Sequence, residues 1–199
     1  MRRLLSSLAA LLILGLLSAP PALAAPDDGP GIRRPSVALL PVINNSGQKR
    51  TQYMVGMINE SLQAQFSPDR CLVIIDQTLD DALRRQGIDD FRTVDSYTLN
   101  NALQALGVDY SVRTEILAVA TRQKVYFPDV FLLMKSWAAQ VPVNFAVTNV
   151  RTGEVIYAAT FSEYAKHDAI IGFNDRHYAI RFALAKVLEK FAQEQIGIN

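Results

Sequence analysis

Two short runs, Val37 to Ile43 and Cys71 to Ile75, are apolar at nearly every position rather than at alternate ones. That is the pattern of strands buried on both faces. The first run ends in the turn cluster Asn44-Asn45-Ser46-Gly47. Between the runs, Val55, Ile58, Leu62 and Phe66 recur at helical spacing, which predicts a helix from about Thr51 that Pro68 stops. The opening of the fold therefore reads as a β-α-β unit.

Two further helical patterns follow Asp76. One carries Leu79, Ala82 and Leu83 and ends at Gly87; the other carries Leu99, Ala102, Leu103 and Leu106 and ends at Gly107. Thr78 and Asp81 stand at capping-box spacing, and each glycine suits a left-handed helix C-cap. From Val108 to Val119 the period changes to two, and it does so again from Val143 to Val150 and from Val155 to Phe161. The segment Asn149-Val150-Arg151-Thr152-Gly153-Glu154 between the last two is a hairpin signature. A final helix from about Asn174 to Gln195 presents Ile180, Ala183, Leu184, Val187, Leu188 and Phe191 on one face. The predicted fold is α/β (α+β): a mixed sheet in the order β-α-β-α-α-β-β-β-α, with helices packed on it.

Ahead of this pattern, residues 1–24 read as a cleavable signal peptide. Arg2 and Arg3 form a positive start, Leu8 to Leu17 an apolar stretch, and Ala22-Leu23-Ala24 a small-x-small cleavage site after Pro20 and Pro21. The apolar stretch is shorter than the roughly 20 residues a membrane span needs. Residues 25–35, rich in Pro, Gly and Asp, read as a flexible tether, and residues 36–199 as a single domain. The expected location is periplasmic, or secreted in a host with one membrane, with no transmembrane segment in the mature chain. Cys71 is the only cysteine and lies far from the cleavage site, so no lipid anchor and no intramolecular disulfide are expected. Without residues 1–24 the chain has 18 basic and 19 acidic residues, which argues against nucleic acid as a partner.

Three local motifs carry a resemblance. The strand and turn Val37 to Gly47, the link Ala105-Leu106-Gly107-Val108-Asp109-Tyr110, and the hairpin Thr152-Gly153-Glu154-Val155 resemble the CsgG-like group. That group includes the curli secretion channel subunit, the outer-membrane lipoprotein activators of penicillin-binding proteins, and the similarly built amino-terminal domain of TolB. The resemblance covers about Ser36 to Gln195 and implies an envelope assembly role by protein contact rather than a reaction. Each motif also has a plain structural reading. Gly47 and Gly153 relieve turns, Gly107 caps a helix, and Asp109 bonds locally where helix gives way to strand. Curli-type subunits are lipoproteins that contribute membrane hairpins. This chain lacks the lipid cysteine and offers only Thr121 to Gln140 as an insertion, which two membrane strands and a turn would just consume and which Pro128-Asp129 interrupts.

Candidate chemistry is sparse. His167-Asp168 with Asp175-Arg176-His177 could be read as metal ligands or a proton relay, but no further ligand stands at metal spacing, and a helix-start reading of Asp175 and His177 is preferred. Cys71 heads an apolar strand and reads as a small hydrophobe rather than a nucleophile. Asp80-Asp81 and Asp89-Asp90 read as solvated acids. No nucleophile elbow, Walker loop or dinucleotide fingerprint is present, so the expectation is a protein that is not an enzyme and takes no cofactor and no metal.

The insertion is the place to expect contact. Tyr126, Phe127, Phe131 and Trp137 fall within twelve residues outside the regular core pattern, and Met134 lies among them. Val130, Leu133, Met134 and Trp137 share helical spacing, which suits a short amphipathic helix docking on a partner or lying at a membrane surface; packing over its own sheet is the alternative. The expected function is assembly or regulation of a cell-envelope machine through an envelope protein partner, with self-association open. A small-molecule or glycan-binding domain is one alternative, and a secretion-channel subunit another.

Overall fold

A computed structural model of the chain describes residues 33–49, 51–129, 132–170 and 176–198. The predicted signal peptide, most of the predicted tether, Phe131 and Asp175 lie outside the described residues. Among those described, a seven-stranded mixed sheet carries four helices packed against it, as the pattern predicts for the fold class.

The strands are β1 (Ser36–Leu39), β2 (Ile43–Asn44), β3 (Leu72–Ile74), β4 (Tyr110–Ile116), β5 (Ala120–Asp129), β6 (Leu132–Asn149) and β7 (Val155–Ile170). The helices are α1 (Gln52–Gln65), α2 (Asp76–Arg85), α3 (Ser96–Ala105) and α4 (Arg176–Ala192). β1 lies between β3 and β4 and is parallel to both, while β4, β5 and β7 pair antiparallel with β6.

Alternation along β1 explains the layers, because successive side chains of a strand point to opposite faces. Val37 and Leu39 join the core under α1 and α4, with Ile58, Leu62, Leu184 and Phe191. Ala38 and Leu40 join the core under α2 and α3, with Leu79, Leu83, Leu99 and Leu103. All four residues of β1 are buried, Val37, Ala38 and Leu39 as the apolar run predicts and Ser36 through its hydrogen bonds.

The strands depart from the predicted pattern in three places. The run Val37 to Ile43 is two strands, because Pro41 lacks the N–H that a continuous ladder requires. The run beginning at Cys71 is not buried on both faces: β3 lies at the sheet edge, and Leu72 is 39% exposed. The described residues of Thr121 to Gln140 form not an amphipathic helix but β5 and the first half of β6. Leu133, Met134 and Trp137 lie in β6, whose cross-strand ladder with β5 satisfies the backbone better than an isolated turn of helix would, and Val130 lies outside the described residues.

Helix ends follow the sequence more closely. Gly107, at φ 74°, donates its N–H to the Gln104 carbonyl while Val108 donates to Leu103, closing α3 in a Schellman arrangement. Asp95 caps the start of α3 through the Thr98 N–H. The predicted capping box of Thr78 and Asp81 is not used, because α2 begins at Asp76, directly after β3. Gly153, at φ 72°, donates to the Asn149 carbonyl, and the Asn149 side chain accepts from the N–H groups of Arg151 and Thr152, so the predicted hairpin forms.

Asp109 does not bond locally, as the sequence suggests, but across 73 residues. Its carboxylate accepts from the Ser36 N–H at 2.8 Å, and Ser36 Oγ lies 2.6 Å from the Gly107 carbonyl oxygen and 3.0 Å from the Asp109 nitrogen. This group of bonds ties the start of β1 to the link between α3 and β4. Arg33, just ahead of β1, approaches the same carboxylate at 3.8 Å.

Candidate functional site

The sheet changes its construction along β6. The second half of β6 pairs with β4 through Val143↔Ile116 to Asn149↔Tyr110, and the first half pairs with β5 through Gln140↔Ala120 to Leu132↔Asp129. β4 and β5 thus succeed one another along the same side of β6. The change of partner falls at Val141 and Pro142, and Pro142 has no N–H to offer either strand. β7 follows β6 on its other side through both halves. Beyond the reach of β4, the sheet narrows to three strands, β5-β6-β7, which form an arm.

Alternation assigns the arm's two faces. Lys135, Trp137, Ala139 and, across the ladder, Val125, Gln123, His167 and Ala165 share the face that continues the α1/α4 core. Ala139 and Ala165 are buried in that core, and Trp137 is packed against it and half-buried. Farther out the cover ends: Val125 is 47% exposed and Phe127 70% exposed. The opposite face carries Arg122, Lys124, Tyr126, Met134, Ser136, Lys166 and Asp168.

The predicted contact residues therefore separate. Phe127 is exposed near the end of the arm; Tyr126 and Met134 are half-buried cross-strand neighbours; Trp137 lies one turn of the pleat nearer the body. Phe131 falls outside the described residues. Lys166 Nζ lies 5.9 Å from the Tyr126 ring centroid and 2.8 Å from Asp168, and Lys135 Nζ lies 5.5 Å from the Trp137 ring, so cations stand over aromatic rings on both faces. The Lys166 ammonium and the Ser136 hydroxyl hold the Asp168 carboxyl below its usual range. Sequence reasoning did not single out Val125 or these lysines. The usable signal was the apolar run Val125 to Met134, broken only by Asp129 and bracketed by Lys124 and Lys135.

The histidines do not converge. His167 points to the core-side face, where its ring centroid lies 5.0 Å from Tyr178 and 5.8 Å from Phe182, while neighbouring Asp168 takes the opposite face. His177, in the first turn of α4, meets the Tyr53 ring edge-on at 5.7 Å. Among the described residues no group of three or more His, Cys, Asp or Glu side chains could hold a metal ion. Cys71 is buried, and that burial, opposed by Arg70, pushes its thiol up, away from the thiolate a nucleophile needs. Asp90 is held at about 2 by the Arg92 guanidinium, which bonds both of its oxygens; this is a surface ion pair rather than an acid poised for proton transfer.

A cleft of about 460 Å³ opens at the carboxyl ends of β1 and β3, between α1 and α2. Val55 and Ile75 supply apolar walls, and Asn59, Gln63, Gln77 and Arg84 supply polar groups. Among the described residues no helix is long and apolar enough to cross a membrane.

No family model and no curated protein matches this chain. Solved structures do show similar backbones. Lipoprotein GNA1162 from Neisseria meningitidis is 13% identical with a TM-score of 0.47, the match covering 80% of this chain and 99% of that one. The C-terminal domain of LpoB from Escherichia coli is 14% identical with a TM-score of 0.42, over 71% and 88%. The PelC dodecamer subunit from Paraburkholderia phytofirmans is 15% identical with a TM-score of 0.41, over 83% and 94%. At such identities, and with TM-scores below 0.5, the chemistry of those proteins does not carry over to this one.

Proposed function

We propose that the protein is not an enzyme and that it acts by contact in the assembly or regulation of a cell-envelope machine, with the β5-β6-β7 arm as its contact element. The observation that carries this reading is the exposure of Val125 and Phe127 on strands that extend past the helical cover. An apolar side chain at 70% exposure contributes little to its own fold and much to an interface. The predicted export signal of residues 1–24 and the CsgG-like resemblance support a periplasmic site of action. The test is site-specific photo-crosslinking in living cells from positions 127 and 137, with each captured protein purified and its binding to this chain measured directly. Capture and reconstitution of one envelope protein supports the reading; uniform failure from both positions in a folded, abundant protein removes it.

A second reading, a small-molecule or glycan-binding domain, is favoured by the cleft at the ends of β1 and β3, where amide side chains line an apolar wall. Titration with soluble oligosaccharides, followed by the NMR shifts of Asn59 and Gln63, decides it.

A further inference from the structure

The arm's end combines two features that together specify a surface. The first is apolar. Val125 and Phe127 are exposed, Tyr126 is half-buried, and the sequence from Val125 to Met134 contains a single charge, Asp129. The second is a basic belt directly behind it. Arg122 and Lys124 are exposed on one face of β5, and Lys135 lies on the other face, where β6 pairs it with Val125. Lys166, in β7 on the Arg122 side, adds a fourth cation, partly neutralised by Asp168. An aromatic, apolar tip with lysine and arginine on both sides of the hairpin behind it is the layout of a membrane-interface residue set. Tyr, Phe and Trp occupy the headgroup boundary, and basic side chains reach anionic lipid phosphates.

We infer that the tip of the β5-β6-β7 arm seats on an anionic lipid surface, with Phe127 and Val125 entering the headgroup boundary and Arg122, Lys124 and Lys135 meeting the phosphates. This rests on the reading of the arm as a contact element and names what its tip meets. Lengths decide how deep it goes. From Lys124 to the end of β5 is five residues, roughly 17 Å of strand. The hydrocarbon core is roughly 30 Å thick, and a spanning strand needs about 9 to 11 suitable residues. Arg122, Gln123 and Lys124 occupy the part of β5 that would have to be lipid-facing, so the strand does not span. Asp129 closes β5, and a charge there makes hydrocarbon burial costly. The tip therefore lies at the interface, at a depth of about 5–10 Å. The basic belt selects lipid over an apolar protein groove, because a groove offers no array of anions to cations on both faces of one hairpin.

The test uses the chain from Ala25, since residues 1–24 would bind vesicles by themselves. Co-sedimentation is measured with phosphatidylcholine vesicles with and without phosphatidylglycerol, and the emission of Trp137, the single tryptophan, reports the arm. Expected are binding that requires phosphatidylglycerol and weakens with salt, and quenching of Trp137 by lipids brominated near the headgroup. Phe127→Ser and the double variant Lys124→Glu, Lys135→Glu should each lower the affinity by about tenfold or more, with unchanged far-ultraviolet circular dichroism. No binding at low salt by the folded chain, or binding that ignores both variants, overturns the inference. If vesicles fail while position 127 still crosslinks one envelope protein, the arm is a protein-docking element and the contact reading survives. If both fail, both readings fall.

Discussion

Along β6, Val141, Val143, Phe145 and Val147 have no exposed surface, whereas Met134, Lys135 and Trp137, at the other end of the same strand, are only half covered. Both ends are laddered to β7. The difference lies in what stands above them: α1 and α4 over the body, and less and less over the arm. Backbone pairing is thus enough to extend a strand, but apolar cover decides which part of it contributes to stability and which part is left as surface.

The comparison breaks most visibly at Phe145. Its ring stacks on Phe191 with centroids 4.0 Å apart and has no exposed surface. Phe145→Ala should cost about 3–5 kcal/mol in urea unfolding. A loss as small as that of a surface change would mean the body is not held by this core. Next comes the tie between β1 and the α3–β4 link. Asp109→Ala strands the Ser36 N–H, and about 1–3 kcal/mol should be lost, with faster amide exchange along β1 but not along the arm. Equal acceleration in both regions would show that the two unfold as one unit.

The same contrast explains what was legible in the sequence. Where a core lies on one or both sides, burial imposes a period, and the faces of α3 and α4, the Ile58, Leu62 and Phe66 positions of α1, the doubly apolar β1 and the Asn149–Glu154 hairpin could be read. Val55, expected on the α1 face, lines the cleft instead, and Met54 is the buried residue. In Thr121 to Gln140 no core enforces alternation, so the three- and four-residue spacing of Val130, Leu133, Met134 and Trp137 imitates a helix. The basic belt was equally hidden, because Lys124 and Lys135 come together only once the hairpin register is known. The partner of Asp109 was beyond local reasoning for the same cause: Ser36 is 73 residues away and meets it only through the parallel pairing of β1 with β4.

Acid should act on the two regions with the same sign and for different reasons. In the body, the Asp95 carboxylate accepts from the Thr98 N–H and hydroxyl, which hold its pKa below the usual value. In the arm, Asp168 is lowered by Lys166 and Ser136. A carboxyl lowered on folding contributes stability that is fully present above its unfolded pKa, about 4, and is lost as pH falls through the lowered folded value. Wild type and Asp95→Ala should therefore differ in urea midpoint at neutral pH and converge on acidification. A gap that persists at the lowest pH would assign the effect to helix propensity rather than to the charged cap.

The smallest effect on stability is expected at the arm's end. Phe127 has 70% of its surface in water already, so Phe127→Ser removes little buried area and should move the unfolding free energy by no more than about 0.5 kcal/mol. The same substitution is expected to weaken vesicle binding strongly, so one residue would separate the two roles that β6 divides along its length. Should Phe127→Ser instead destabilise the chain on the scale of Phe145→Ala, the end of the arm would be core, covered by residues of the same molecule. Its apolar run would then be explained by folding alone, without any surface for it to meet.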